Sequence, residues 1–129
     1  MSCTILLVED EPLVTMDLEF AAEDRGCRPL SAASVRKALQ LMDSESEIDV
    51  AILDVSLGND ETCVPVARAL ESRGVPYILH TGDLDRQEEQ VRTLDAPLVA
   101  KPAAAEDVID AAMAAAERSV TSNVRMAAQ

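Results

Sequence analysis

Five short apolar segments alternate along this chain with longer segments in which apolar residues recur at helical spacing. The short segments predict five strands, over residues 3–9, 27–32, 49–55, 75–81 and 97–101. The longer segments predict five helices, over residues 11–26, 34–45, 60–74, 82–96 and 104–119. Because the strands are apolar throughout rather than alternating, both faces of their sheet must be covered. The chain therefore predicts a doubly wound α/β fold, in which a five-stranded parallel sheet is flanked by five helices.

The length of the chain fits one domain with one contiguous core. With only one Tyr and one Phe, that core must be built from aliphatic side chains. The polar segment 82–96 predicts only a short or frayed helix. Residues 1–119 are expected to form the domain, and residues 120–129 a flexible C-terminal tail.

The charge of the chain limits its partners. A formal net charge of −13 argues against nucleic acid and against an anionic membrane surface, because both are bound by clustered Lys and Arg. The same charge is compatible with a metal cation and with partners that carry basic patches. No segment is apolar over a length that could span a bilayer, and no signal peptide is recognised. We therefore expect a cytoplasmic protein.

The cysteines carry no disulfide or zinc signature. Cys3, Cys27 and Cys63 are widely separated and odd in number, and the chain has a single histidine. Reduced, packed thiols of a cytosolic protein are the expected outcome. The single histidine, His80, is interpreted as a strand residue that packs beside a helix.

Polar side chains follow the predicted strands where each one ends. In a flavodoxin-like sheet of order 2-1-3-4-5, the ends of strands one, three, four and five are neighbours. The residues found there are Glu9-Asp10-Glu11 after the first strand, Asp54 after the third, Thr81-Gly82 after the fourth and Lys101-Pro102 after the fifth. Carboxylates, a hydroxyl and an ammonium group are therefore predicted to share one rim of the sheet.

This set of groups suits phosphoryl chemistry. Glu9, Asp10 and Asp54 would repel one another, and a hard cation such as Mg²⁺ relieves that repulsion. A carboxylate beside a metal can attack a phosphoryl group, which makes Asp54 the candidate nucleophile. Lys101 and the Thr81 hydroxyl could then stabilise the charge of the transferring group.

Each of these elements also has an ordinary structural explanation. Acids after a strand often begin a helix, and an Asp often turns a corner into a loop. Thr-Gly and Lys-Pro are common where strands end and helices begin. The conjunction of complementary groups at four strand ends is what favours a functional site.

The chain resembles the receiver domain of two-component response regulators over about residues 3–118. The stretches "ILLVEDEP", "AILDVSL", "LHTGD" and "VAKP" match the acidic pair, the phosphoacceptor Asp, the Thr and the Lys-Pro of that family. The resemblance implies a signalling phosphoacceptor rather than an enzyme, one that promotes its own phosphorylation and dephosphorylation.

The resemblance also implies a role for each matching residue. Asp54 would accept a phosphoryl group from the phosphohistidine of a sensor histidine kinase or of a phosphotransfer protein. Asp10 would bind Mg²⁺ directly, Glu9 mostly through water, and Ser56 through its backbone carbonyl, with Asp54 completing the metal ligands.

The remaining matches concern the phosphoryl group and the switch. Thr81 and Lys101 would contact the phosphoryl group, and Ser56 and Asp83 lie at positions that tune dephosphorylation in the family. Leu98 lies at the switch position, where the family usually has Tyr or Phe. A leucine offers no phenol and no aromatic edge, so the usual coupling between the Thr and the aromatic residue is not expected here.

The stretch from Leu53 to Gly82 is similar to a subgroup of stand-alone receivers with a Phe-Ala-Thr-Gly signature, of which this chain keeps Thr81 and Gly82. That subgroup works with kinases of the HWE type. The start at Met1, directly before the first strand, fits a stand-alone protein better than a receiver excised from a hybrid kinase. Output is then expected through protein contact at the face formed by residues 82–118, or through action as a phosphate relay or sink.

Two further hypotheses remain open from the sequence. A phosphorylation-independent interaction module of the same fold would explain the missing aromatic at Leu98. A phosphatase of the haloacid-dehalogenase type also uses Asp, Thr, Lys and Mg²⁺, but it has an Asp-x-Asp motif where this chain has "DVS".

Overall fold

The computed structural model describes residues 3–45, 47–58, 60–82 and 93–127. Strands and helices alternate along them. In chain order the elements are β1 (Cys3–Val8), α1 (Pro12–Asp24), β2 (Cys27–Ala32), α2 (Val35–Ser44), β3 (Val50–Leu53), α3 (Val64–Ser72), β4 (Tyr77–Thr81), β5 (Leu98–Ala100) and α4 (Ala105–Ala127). The five predicted strands are confirmed, each within a few residues of its expected bounds.

The five strands form one parallel sheet of order β2-β1-β3-β4-β5. This order confirms the predicted doubly wound, flavodoxin-like fold. Four helices flank the sheet within the described ranges. The fifth predicted helix, over residues 82–96, falls mostly outside them, since residues 83–92 are not described.

The two faces of the sheet carry separate apolar layers. Leu6 and Leu53 point to the layer formed with α2 and α3, where Leu70 and Met42 are buried. Ile5, Leu7, Ile52 and Ile78 point to the opposite layer, which includes Leu18 of α1 and Ile109 of α4. Successive strand residues thus enter opposite layers, as the two-residue period of a strand requires. Both layers are almost entirely aliphatic, which confirms the expectation drawn from the scarcity of aromatic residues.

The ends of the helices follow local sequence signals. The Ser34 hydroxyl caps α2 by accepting a hydrogen bond from the Lys37 backbone N–H at 3.2 Å. Pro12 occupies the first turn of α1, where its missing N–H has no helical partner to lose. Gly74 follows α3 with a positive φ of 69°, a conformation that glycine adopts without a steric penalty.

Helix α4 is longer than expected. Its helical backbone continues to Ala127, although a tail was expected from residue 120. Adding residues to an existing helix requires no new nucleation, so the residues after 119 can extend it. The flexibility of residues 120–129 and the domain boundary at residue 119 stay predictions.

Cys3, Cys27 and Cys63 are free thiols. Among the described residues, no helix has the length and apolar character needed to cross a bilayer.

Candidate functional site

The carboxyl ends of β1, β3, β4 and β5 meet at one rim, as the sequence predicts. Backbone hydrogen bonds continue the ladder into the residues that follow the strands. The Asp54 N–H donates to the Val8 carbonyl at 2.8 Å, and the Lys101 N–H donates to the Thr81 carbonyl at 3.0 Å. These bonds fix the backbone of the two residues whose side chains meet above the rim.

The Lys101 ammonium lies at the centre of the site. Its Nζ donates to both carboxylate oxygens of Glu9, at 3.0 and 3.1 Å, and to Asp54 Oδ2 at 3.3 Å. It also donates to Glu11 Oε1 at 2.9 Å. One ammonium group thus donates hydrogen bonds to three carboxylates, two after β1 and one after β3.

The carboxylates of Glu9 and Asp54 are buried, with exposed fractions of 4% and 5%. The pKa of Glu9 is raised to about 7, chiefly by burial; the Asp54 charge also raises it, and Lys101 opposes both effects. Burial also raises the pKa of Asp54 above its ordinary value, against the effect of Lys101. Burial works to lower the pKa of Lys101, but its hydrogen bonds to Glu11 and Glu9 outweigh burial and raise it. The site therefore holds more negative charge than one lysine compensates.

A cluster of acidic groups forms one side of the site. Glu9, Asp10, Glu11 and Asp54 can each place one carboxylate oxygen within 4.8 Å of the others. Asp10 and Glu11 are exposed to solvent, whereas the other two are buried. Carboxylate oxygens together with water are the donor set that Mg²⁺ prefers, so this cluster fits a magnesium ion.

The loop after Asp54 supports this acidic side. The Ser56 N–H donates to Asp54 Oδ1 at 3.3 Å, which leaves Oδ2 on the side of Lys101. Gly58 has a positive φ of 77°, and a Cβ built there would lie 3.4 Å from Asp10 Oδ2. Glycine at this position therefore meets a backbone need, and a side chain there would be in van der Waals contact with Asp10.

Thr81 ends β4 at the same rim and is buried. A Cβ built at the following Gly82 would lie 3.4 Å from the Lys101 Cβ, so this backbone passes close to the lysine stem. Asp83, the second residue expected to tune dephosphorylation, lies outside the described residues.

Leu98 begins β5 opposite Leu79 of β4 and is 38% exposed. The single tyrosine does not take the place of the missing aromatic, because the Tyr77 hydroxyl donates to Glu71 Oε2 at 2.7 Å. The switch position is therefore occupied by a half-exposed aliphatic side chain.

His80 is buried beside Thr81, and its ring nitrogens have no hydrogen-bond partner within the described part of the chain. It lines a cavity of about 370 Å³ together with Leu18 of α1 and Ala103. Burial lowers the pKa of His80, which favours a neutral ring. This environment agrees with its interpretation as a packed strand residue.

Sequence reasoning missed two contributors to the site. Glu11 was recognised only as part of an acidic run, yet it contacts Lys101 directly. Gly58 gave no signal beyond a turn-forming residue type. The third consecutive acid could have identified Glu11, whereas the approach of Gly58 to Asp10 depends on the folded loop.

Comparisons with known proteins agree with this geometry. No protein-family model matches the chain. It is 34% identical over 108 residues to the phyllosphere-induced regulator PhyR of Methylorubrum extorquens, covering 79% of this chain and 39% of that protein. The chain thus spans well under half the length of this curated relative.

Solved structures add matches over most of the chain. SdrG from Sphingomonas melonis Fr1 is 38% identical, with a TM-score of 0.73 and coverage of 88% of this chain and 95% of SdrG. A response regulator receiver protein from Sinorhizobium medicae WSM419 is 22% identical, with a TM-score of 0.80 and coverage of 92% and 97%. Together with the sheet order, these comparisons identify the chain as a member of the response regulator receiver domain family.

Proposed function

We propose that this receiver accepts a phosphoryl group on Asp54, with Mg²⁺, from the phosphohistidine of a sensor histidine kinase or a phosphotransfer protein. The observation that carries the proposal is the contact of Lys101 with Asp54 and Glu9, two buried carboxylates at adjacent strand ends. A buried Asp whose charge is only partly compensated is costly for the fold. Its position at this rim is explained if a cation and a phosphoryl group bind beside it.

Glu9, Asp10, Asp54 and the backbone carbonyl of Ser56 are the residues that would hold the ion. A bound Mg²⁺ would offset the repulsion among the carboxylates and neutralise charge on the phosphoryl oxygens. Glu11 is exposed at the edge of the same cluster and already contacts Lys101. We therefore expect Glu11 to hold the lysine rather than to bind the metal.

The transfer itself needs a nucleophile and compensation of charge. An Asp54 carboxylate oxygen attacks phosphorus, the new O–P bond forms, and the electron pair of the broken P–N bond returns to the donor imidazole. Lys101, already on the Oδ2 side of Asp54, meets the negative charge of the incoming phosphoryl oxygens. The Thr81 hydroxyl, at the end of the neighbouring strand, is the proposed second contact to those oxygens.

The donor protein must reach this rim from outside. Helix α1 starts one residue after Glu11 and presents an unusually apolar surface for an acidic protein. Leu13, Met16 and Phe20, spaced three and four residues apart, have exposed fractions of 76%, 47% and 61%. We propose that this stripe, termed the α1 stripe, contacts the phosphoryl donor, because a partner seated on it lies beside the phosphoacceptor site.

The α1 stripe can be tested separately from the chemistry. Leu13→Ser combined with Phe20→Ser should slow transfer from a histidine kinase that serves the wild type by about tenfold, a typical loss for apolar interface anchors. Phosphorylation by acetyl phosphate should be unchanged, since a small donor needs no docking. Glu23→Ala, an exposed change elsewhere on α1, is the control. Equal slowing with both donors would contradict a docking role.

Output is proposed to proceed by protein contact at the face formed by residues 82–118, or by passing the phosphoryl group on. The specific form proposed is a cytoplasmic, non-enzymatic receiver related to the Phe-Ala-Thr-Gly subgroup, with a kinase of the HWE type as its partner. Residues Ser56 and Asp83 are proposed to tune dephosphorylation. The haloacid-dehalogenase alternative loses its support, because the chain belongs to the receiver family.

One observation favours a second candidate, an interaction module that works without phosphorylation. Leu98 cannot supply the aromatic side chain through which the family usually couples its Thr to the surface. Phosphorylation without any change in the surface at 82–118 would support this candidate.

The proposed function is tested by intact-mass spectrometry after incubation with acetyl phosphate, with and without Mg²⁺. We expect one phosphoryl adduct on the wild type that requires Mg²⁺ and is absent from Asp54→Asn. Asp43→Asn, at an exposed carboxylate, should behave as the wild type. An adduct that persists in Asp54→Asn would contradict Asp54 as the acceptor.

A further inference from the structure

A cluster of three sulfur atoms lies at the amino ends of the strands. The proposed phosphoacceptor site lies at the opposite end of the sheet, where the strands end. Cys3 begins β1, Cys27 begins β2, and the two residues are register partners on adjacent strands. Both thiols contact Met113 of α4, with Sγ–Sδ distances of 3.9 Å in each case. Three elements therefore each contribute one sulfur to a common point.

These distances match those of a three-coordinate metal complex. A metal–thiolate bond is roughly 2.3 Å long, and a trigonal site with such bonds separates its sulfurs by about 4.0 Å. The two Sγ–Sδ distances of 3.9 Å are already close to that value. An ion placed between the three sulfurs would therefore need little movement of Met113 relative to either thiol.

The type of sulfur decides which ion fits. Two thiols and a thioether are soft ligands, which select Cu(I) over Mg²⁺, Ca²⁺ or other hard cations. Structural zinc sites use four Cys and His ligands, and the only histidine, His80, lies near the other end of the sheet. A Cys3–Cys27 disulfide would use only two of the three sulfurs, and Met113 would take no part in it.

Access and charge are also compatible with an ion. Cys27 is buried, whereas Cys3 and Met113 are half-buried and leave a route from the surface. Binding of Cu(I) to the two thiols would release their protons to solvent.

We propose that Cys3, Cys27 and Met113 form a binding site for one Cu(I) ion. The site is independent of Asp54 and of Mg²⁺, because it lies at the amino ends of the strands and its ligands are sulfur atoms instead of oxygen atoms. Occupancy would join β1, β2 and α4, and so would raise the thermal stability of the protein.

The test is an anaerobic titration of the reduced protein with Cu(I) in competition with bicinchoninate, followed through the colour of the copper–bicinchoninate complex. We expect the wild type to withdraw one equivalent of Cu(I). Cys3→Ser and Cys27→Ser should each lose this binding, and Met113→Leu, which conserves volume, should weaken it at least tenfold.

Cys63→Ser is the matched control, because Cys63 is buried in the other apolar layer, with α2 and α3. It should bind Cu(I) like the wild type. Since Cys27 is buried and its variant can lose stability, the half-buried Cys3 provides the second test, and circular dichroism checks the fold of both. Failure of the wild type to compete, equal binding by Met113→Leu, or loss in Cys63→Ser would each overturn the three-sulfur site.

Discussion

The site combines two regions that are built very differently. In the acidic corner, defined here as Glu9, Asp54 and Lys101, the two carboxylates follow β1 and β3, whose residues are almost all buried, and Lys101 is hydrogen-bonded to both. The β5 edge, Leu98–Ala100, is a three-residue strand whose residues are exposed or half-exposed. Both regions reach the same rim, through Lys101 at the end of β5.

Because of this difference, the residues proposed for phosphoryl transfer and the switch position proposed for signal output are under different structural constraints. In the acidic corner, any change of residue leaves a buried charge without its partner, so the residue types are tightly constrained. At the β5 edge, side chains lie partly in water, and a leucine can replace the aromatic residue usual in the family at little cost to the fold. A leucine at the switch position is therefore compatible with the phosphoryl chemistry proposed at Asp54.

The largest expected difference between the two regions is in stability. Leu53→Ala, in fully buried β3 next to Asp54, should lower the free energy of unfolding by about 2–5 kcal/mol. The same change at half-exposed Leu98 should cost less than about 1 kcal/mol, because less apolar surface is returned to water. Urea denaturation followed by circular dichroism measures both. Similar losses would remove the contrast between centre and edge.

The next largest effect is on phosphorylation. Lys101→Met removes the cation that contacts Glu9, Glu11 and Asp54, and should slow phosphorylation by acetyl phosphate at least about 100-fold. Lys37→Met changes the only other lysine of the chain, which is exposed, and should leave the rate unchanged. Rates follow from the mass adduct over time. A rate near that of the wild type would contradict a role for Lys101 in charge compensation.

A smaller effect is expected from two glycine substitutions, which distinguish backbone strain from crowding beside Asp10, a proposed metal ligand. Gly58→Ala and Gly74→Ala each place a side chain at a positive φ and should each cost about 1 kcal/mol of stability. Only Gly58→Ala brings a Cβ to 3.4 Å from Asp10 Oδ2; Gly74 has open space. Mg²⁺ titration monitored by NMR should show weaker binding for Gly58→Ala alone. Equal affinities in both variants would place Asp10 outside the metal site.

The smallest effect is expected at the switch position. Leu98→Tyr restores the usual type of residue at a half-exposed place, so phosphorylation should stay within about twofold of the wild type. What should change is the response of the surface at 82–118, measured as NMR shift changes on phosphorylation. A large loss of phosphorylation in this variant would show that the edge and the chemistry are not separable.

The sequence predicts the central part of this structure well. Apolar runs identify the strands, Ser34 identifies the start of α2, and strand order brings Glu9, Asp54 and Lys101 together. These features depend on local pattern and on topology, which the chain carries in its periodicity. The predicted ligand roles at the metal, and the phosphoryl contact of Thr81, await experiment.

Other features depend on the folded surroundings. The exposure of Leu98 follows from the place of β5 at the sheet edge, and an apolar run does not reveal how fully its strand is covered. The close approach of Gly58 to Asp10 arises where two loops meet. The continuation of α4 to Ala127 follows from helix elongation, which requires no new nucleation.

The central claim is that Asp54, with Mg²⁺, is a phosphoryl acceptor. It is tested most directly with beryllofluoride, a phosphoryl mimic that needs no kinase and no turnover, observed by fluorine NMR. A bound signal is predicted for the wild type only when Mg²⁺ is present, and none for Asp54→Asn under the same conditions. No bound signal in the wild type with Mg²⁺, or an equal signal in Asp54→Asn, would contradict the claim.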